Sequence, residues 1–500
     1  MRFKLPTRIP LKKAFIFCFA FFCLQQFQHT SLAFSLLYFL FVLLSVIAFN
    51  VAEGFNRPAG AYIFWYSLLI VIVGVTWKAV LGEAADSNLL DPLLDMSLYA
   101  SSMAMLALVA LINRRVDFRP IGIGGGFSKG EINYTSAGLG CIAVWLAIQH
   151  SVQIFGNAPG GIVSALTQVN VFGPLGIILA TIGSIKDSGG RRSVNFINGS
   201  VFIYLTYLGL LSFSKQVLLL PMVCWAIGAF YARLKIRVVH VVAIILMVVV
   251  SFAFISPLSA SRDLAEGLGD EGHIELVVYL ITHWSFFQAH VKQLEEYQAT
   301  GPAAYFDKPQ GSLIQRLTMI PPDDLLFNYT SKGNYEGMAP IYQYFINLEP
   351  HFLNPSKQMT YGGNLYTHEM GTGLADTDTS TGISFSPVAE AYHCVGWGGI
   401  FWLLPAIWIL LFSTVDFVVG DMTKYPWGLM VVVWFGHMAP EQLVGGMIYF
   451  IGYGNFGMLL AIIVVTRFAP ILGALFLGGV RAPQVQRLTG TRRVGAQMQG

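Results

Sequence analysis

Charge is what this 500-residue chain has least of: Asp, Glu, Lys and Arg make up 11% of it, against 55% hydrophobic residues and a mean hydropathy of +0.61. A soluble fold covers its surface with charged residues at about a quarter of the chain. A soluble enzyme is therefore excluded, and the bare surface must face lipid. Cysteine is scarce too. Cys18, Cys23, Cys141, Cys224 and Cys394 lie scattered in or beside apolar stretches with no CxxC pair, which argues against a disulfide framework or a cysteine zinc site. A net charge of +3, with no basic run interleaved with aromatics, leaves no footprint for a nucleic-acid partner. Internal repeats are absent as well, and a long polar segment occurs only in the second half, so duplicated transporter architectures lose weight.

Long apolar runs are what the chain does have. A helix crossing the hydrocarbon core needs about 20 mostly apolar residues, because no unpaired backbone group is tolerated there. About twelve runs meet this description, near 14–28, 31–50, 60–81, 97–112, 134–155, 170–185, 195–213, 216–232, 237–257, 387–414, 426–444 and 447–467. The first follows Arg2, Lys4, Arg8, Lys12 and Lys13, so a signal peptide competes with a retained helix. Its short apolar part and the lack of a small-x-small cleavage site favour a retained helix or a tight hairpin with the second run.

Alternating sides from a cytoplasmic N-terminus places Arg114, Arg115 and Arg119, then Lys186, Arg191 and Arg192, then Arg233, Lys235 and Arg237 in the cytoplasm, with the tail bearing Arg481, Arg487, Arg492 and Arg493. The opposite loop with Glu83, Asp86, Asp91 and Asp95 has no Lys or Arg. This is the positive-inside pattern. The expected fold is an all-α polytopic membrane protein of about 12 transmembrane helices, with one large extracytoplasmic loop domain between the ninth and tenth. Its divisions are an N-terminal bundle at 1–257, the loop domain at 258–386, C-terminal helices at 387–467 and a basic cytoplasmic tail at 468–500.

The loop is too long to be a simple connection. Its stretch from His273 to Gln298 carries Ile274, Val277, Leu280, Ile281, Trp284, Phe287, Val291 and Leu294 at helical spacing, which predicts an amphipathic helix on the membrane or against the bundle. Beyond it Pro302, Pro309, Pro321, Pro322, Pro340, Pro350 and Pro355 predict an irregular, extended layer. Ser386-Pro387 predicts the start of the next helix, a capping residue followed by proline in the first turn.

Ionisable residues in membrane segments are costly, so their depth indicates where function can sit. Lys78, His150, Lys215 and Glu441 all fall near the outer ends of spans. Lys215 occupies a turn too tight to need a charge for solubility, where a fixed cation suits an anionic lipid head group. Arg262 follows the ninth span, and Arg316 lies farther along the loop. Glu349, His351 and Lys357 share one segment; His368 and Glu369 precede a strip with Asp376 and Asp378; Glu390 and His393 stand one helical turn apart and share a face. No HExxH or comparable spacing occurs among these, so no metal site and no cofactor is expected. The Gly-rich run from Gly122 to Lys129 lacks phosphate-loop spacing and reads as a turn.

The Ser-Lys turn before Leu218-Leu219-Leu220-Pro221, the late external loop, and the run from Thr381-Gly382-Ile383-Ser384-Phe385-Ser386-Pro387 through Glu390 into Gly396-Trp397-Gly398-Gly399 together resemble bacterial O-antigen polymerases of the Wzy type, to which O-antigen ligases are related in architecture. The resemblance implies a metal-independent, inverting glycosyltransferase of the bacterial inner membrane. Its substrate would be an undecaprenyl-pyrophosphate-linked oligosaccharide taken from among the membrane lipids, and a chain-length regulator is a conceivable partner. Lys215 stands where arginine is more usual in that family; Lys215, Arg262 and Arg316 are the expected pyrophosphate ligands.

For the base that accepts the acceptor hydroxyl's proton, His368 is the first candidate and His351 the second, since imidazole titrates near neutral pH. Glu369 would orient or charge-stabilise His368, with Glu390 as the alternative, and Glu349, Glu369 and Glu390 are the carboxylates next in line as base. A ligase, another lipid-linked glycosyltransferase, or a flippase remain the competing functions.

Overall fold

The computed structural model describes residues 5–115, 132–155, 166, 170–265, 268–299, 304–307, 312–315, 317–350, 353–354, 362–371 and 382–476, and no strand occurs among them. The helices run α1 Leu11–Phe27, α2 Leu32–Val51, α3 Pro58–Leu81, α4 Pro92–Arg115, α5 Tyr134–Phe155, α6 Phe172–Asp187, α7 Phe196–Leu211, α8 Lys215–Tyr231 and α9 Val238–Leu258. Then come α10 Asp270–Thr282, α11 Trp284–Ala299, α12 Ile320–Ser331, α13 Ala339–Asn347, α14 Gly362–Glu369, α15 Pro387–Val395, α16 Gly399–Val419, α17 Leu429–Glu441 and α18 Leu443–Leu475. Among the described residues, 7 helices are long and apolar enough to cross a membrane: α2, α3, α4, α5 over Tyr134–Val152, α9, α16 and α18. The described residues are all-α, with helices apolar enough for lipid, as the hydropathy required.

The apolar runs of the sequence fall on helices, with one division. The run at 387–414 is two helices, α15 and α16, because Gly396 takes φ 61 and ψ −142, a conformation open in practice to glycine alone. Close seating of helices in lipid also depends on small residues. A Cβ on Gly140 of α5 would overlap the backbone of Ala469 in α18.

Direct bonds sort the helix ends into two groups. At one end Arg57 donates to the Asn113 carbonyl at 3.0 Å and lies 3.7 Å from Asp416, which also accepts from Asn113 at 2.9 Å. Met422 N–H reaches the Asn56 carbonyl, Lys235 N–H the Gly190 carbonyl, and Tyr231 Oη the Thr423 carbonyl. This end therefore gathers Arg57, Arg114, Arg115, Lys186, Arg191, Arg192, Arg233, Lys235 and Arg237. At the other end, Lys78 is fully buried, donates to the Ser87 carbonyl at 2.6 Å and sits 4.3 Å over the Tyr305 ring. Asn88 bonds Asp307 at 2.6 Å, and Asp324 accepts the Leu90 and Asp91 N–H groups. That end is acidic and carries residues 305–307 and 317–324.

The described residues of the loop segment depart from the expected irregular layer; Pro302, Pro309 and Pro355 lie outside them. Pro321, Pro322 and Pro340 do not break structure; they lie in the first turns of α12 and α13, where a missing N–H costs nothing. The stripe at 273–298 is two helices, α10 and α11, divided at His283. Val277, Leu280, Phe287 and Val291 pack on Phe213, Leu218, Ile255 and Leu258, while Ile281 remains 49% exposed and Ile274, Trp284 and Phe286 are exposed too. That outer apolar face suits the membrane interface. Residues 318–320 enter the bundle itself. A π-helical turn at Leu68–Ile72 frees the Ile70 carbonyl, midway along α3, to accept from Thr318 Oγ1 at 3.2 Å and Met319 N–H at 3.3 Å. Non-helical backbone is tolerated at such depth only when enclosed by protein, and Thr318, Met319 and Ile320 are all buried.

If the basic end faces the cytoplasm, a thiol placed at exposed Asn334 will react with an impermeant reagent in intact spheroplasts, whereas one at Arg191 will react only after lysis. Four of the five native cysteines are buried, which keeps the background low. The reverse labelling would invert the topology.

Candidate functional site

The acidic end holds a buried polar cluster centred on α15. Ser386 caps this helix by accepting from Ala389 N–H, and Pro387 opens its first turn. Glu390 and His393 then fall on the buried side, one turn apart, at 0% and 1% exposure. Glu390 Oε1 accepts from Tyr344 Oη at 2.6 Å and Tyr366 Oη at 2.7 Å, and its Oε2 accepts from Val444 N–H at 2.6 Å. These donors come from α13, α14 and the first turn of α18. A carboxylate at a helix N-terminus is favoured by the unpaired N–H groups there. Leu443, the residue that opens this turn, is held at φ 57, a strained conformation for a branched side chain.

His393 extends the cluster outward. Its Nδ1 lies 2.8 Å from Thr330 Oγ1, its Nε2 lies 3.2 Å from Glu369 Oε2, and the Tyr366 ring stands edge-on at 4.9 Å. The loop ahead of α13 docks on the same helix end through Glu336 N–H to the His393 carbonyl and Gly337 N–H to the Cys394 carbonyl. Glu336 thereby reaches Glu369 and His393, and the ligating atoms of all three lie within 4.8 Å of one another. Burial, then the neighbouring Glu369, push the Glu336 carboxyl above its usual range. Farther in, Asp323 accepts from Tyr99 Oη at 2.8 Å and Ser386 N–H at 2.9 Å. Complete burial raises its carboxyl to about 7, moderated by these bonds.

The turns that carry Lys215 and Arg262 belong to a separate apolar cluster. Lys215 opens α8 behind Ser214, and Phe213 ahead of it is buried at φ 49 in the apolar cluster shared with Ile255, Leu258 and Ala265. The single turn Ser261–Ala265 that carries Arg262 thus shares one apolar cluster with the turn that carries Lys215. Arg316, His351, Lys357, Asp376, Asp378 and the run Gly122 to Lys129 lie outside the described residues, as does the side chain of Arg262.

Of the sequence candidates, the structure joins Glu390 and Glu369 through Tyr366 and His393. His368 sits half-buried on the last turn of α14, and it is its neighbour Glu369 that reaches His393. Lys78, near the C-terminal end of α3, is buried as the holder of the 84–87 loop. His437 contacts Glu441 one turn along α17, so both are engaged within their own helix. Tyr344, Tyr366, Thr330 and Glu336 carry no sequence signal: tyrosine is abundant in this loop, and the others are ordinary loop polar residues. The i,i+3 spacing of Glu390 and His393 was the one legible cue. No protein-family model, curated protein or solved structure matches the chain.

Two outcomes test the cluster's energetics. Glu390→Ala leaves two tyrosine hydroxyls and a backbone N–H without their acceptor, at about 1–3 kcal/mol for each buried unpaired group. It is therefore expected to lower the thermal midpoint in detergent well below that of Glu390→Gln, which keeps an acceptor oxygen. Asp323 titrates higher folded than unfolded, so its contribution is complete below about 4 and is lost as the pH rises through about 7. Asp323→Asn is expected to flatten the fall in thermal midpoint across that window, and an unchanged slope would assign it to other groups.

Proposed function

We propose that this chain is a polymerase of the bacterial inner membrane, joining undecaprenyl-pyrophosphate-linked oligosaccharide units into a surface polysaccharide. The reading keeps about twelve spans, cytoplasmic termini and an extracytoplasmic loop domain, in line with the segregation of basic and acidic ends. One observation carries it: the Lys215 turn and the Arg262 turn share an apolar cluster at the end of the bundle that also holds the buried carboxylate and imidazole groups. A cation at a helix N-terminus opposes the helix dipole. Lys215 therefore does little for the stability of α8, while the first-turn N–H groups behind it add to its attraction for an anion.

In the proposed reaction the acceptor hydroxyl oxygen attacks the anomeric carbon of the donor sugar as the bond to the pyrophosphate oxygen breaks. The hydroxyl proton passes to a base, and the pyrophosphate departs with the charge that Lys215, Arg262 and Arg316 stabilise. A single displacement inverts the anomeric centre. Three environments are needed: lipid for the tail, fixed cations for the pyrophosphate, and polar surface for the sugars.

Purified protein in nanodiscs, supplied with a lipid-linked repeat unit, should extend it into a ladder of polymers. Lys215→Glu, Arg262→Glu and Arg316→Glu are each expected to abolish extension with insertion intact, and normal ladders from all three would remove the cation clamp. His368→Ala is expected to lose roughly 10²–10⁴-fold in rate while binding persists. Full activity in both His368→Ala and His351→Ala would move the base to Glu349, Glu369 or Glu390. In cells, deletion should leave single repeat units on the surface. Unattached lipid-linked polymer would indicate a ligase, and units trapped inside would indicate a flippase.

A further inference from the structure

The positions of hydrogens around His393 follow from the heavy atoms. Thr330 Oγ1 lies 2.7 Å from the Leu326 carbonyl and 2.8 Å from His393 Nδ1. A hydroxyl has one hydrogen, and two oxygens that close repel unless it lies between them, so Thr330 donates to Leu326. Its oxygen can then only accept from the imidazole, and Nδ1 carries a hydrogen. In the uncharged ring this leaves Nε2 as a bare lone pair, on a side chain 1% exposed, aimed at the Glu369 oxygen 3.2 Å away.

A lone pair facing a carboxylate is repulsive, and Glu336 adds a second carboxylate to the same spot. Among the described residues, neither Glu336 nor Glu369 has an ion pair with Lys or Arg. Such a concentration of acceptors calls for a proton or a cation among them. The backbone nevertheless holds the group together, since two bonds from Glu336 and Gly337 fasten the loop to the end of α15.

We propose that Glu336, Glu369 and His393 bind a divalent transition-metal cation, with Thr330 orienting the imidazole. A ligating histidine commonly donates its other ring N–H to an acceptor that fixes the tautomer, the part Thr330 plays. One imidazole and two carboxylates suit Zn²⁺ or Mn²⁺ better than Ca²⁺, which takes oxygen ligands. Three protein ligands leave room for water or a substrate oxygen, and Glu336 and Glu369 are both half-buried, so the open side faces solvent. The ion would clamp α14, α15 and the loop before α13 together. Its binding does not depend on glycosyl transfer, and the test below measures no turnover.

Full-length protein in nanodiscs, stripped with a chelator and titrated separately with Zn²⁺ and Mn²⁺, would be assayed for metal retained after gel filtration and for thermal midpoint. A single equivalent of one of these ions is expected to remain and to raise the midpoint. The Glu336→Gln and Glu369→Gln double variant is expected to lose both effects. Thr330→Val is expected to bind roughly 10–100-fold more weakly, and Thr330→Ser to restore affinity, separating orientation of the ring from simple misfolding. No saturable uptake of either metal, or uptake unchanged in the double variant, would overturn the site and leave a proton as the species that relieves the repulsion.

Discussion

The carboxylate of Glu390 is fully buried, and an ionised carboxylate taken out of water costs several kcal/mol unless its oxygens are met by donors. The donors cannot come from α15 itself, whose N–H groups are committed to the helix. They come from Tyr344, Tyr366 and the backbone of Val444, on three other elements. One buried carboxyl group therefore draws two loop-domain helices and the final long helix onto α15. The left-handed Leu443, at an order of 1–3 kcal/mol for such backbone strain, is what turns the Val444 N–H toward the carboxylate. One turn further on, His393 extends the same anchor to Glu369, Glu336 and Thr330.

Between the two polar ends the interior is aromatic, and several of its polar handles are paired with one another. Trp408 donates to Tyr62 Oη at 3.0 Å, and Tyr66 Oη pairs with Ser102 at 2.6 Å. In lipid, packing and such bonds hold helices together, because burying apolar surface away from acyl chains gains little. The buried Arg57, Asn113 and Asp416 group closes the opposite end in the same manner as Glu390 closes the acidic one. The Arg57 network thus sets the relative heights of α3, α4 and α16, and the Glu390 network ties α15 to α13, α14 and α18.

Hydropathy and charge were enough to read the helical class, the stretches that form apolar helices and the separation of basic from acidic helix ends, since these depend on composition along short stretches. The capped start of α15 at Ser386-Pro387 and the shared face of Glu390 and His393 were legible for the same reason: both are local. What failed or stayed hidden was long-range. Pro321, Pro322 and Pro340 have the same composition whether they end a strand-like layer or begin a helix, and only the helices that follow decide it. His283 interrupts a continuous apolar stripe without any breaker residue. Glu336, Glu369 and Thr330 meet His393 from segments whose spacing carries no periodicity, so no pattern along the chain marks them as a group.

The entry of Thr318 and Met319 alongside α3 changes how the loop domain relates to the bundle. A loop resting on the membrane could shift without disturbing the spans. This one is bonded to Ile70 midway along α3 and, a few residues later, to Tyr99 in α4 through Asp323. Asp323 in turn holds the N–H of Ser386, the cap of the helix bearing Glu390 and His393. A continuous run of hydrogen bonds therefore leads from the interior of two spans to the polar cluster. The cluster's geometry is set from within the helix bundle, whereas Lys215 and the Arg262 turn are placed by a separate apolar cluster with α10 and α11. On the proposed reading, the group that receives a proton and the cations that receive the leaving charge rest on independent supports, and the donor lipid must bridge them.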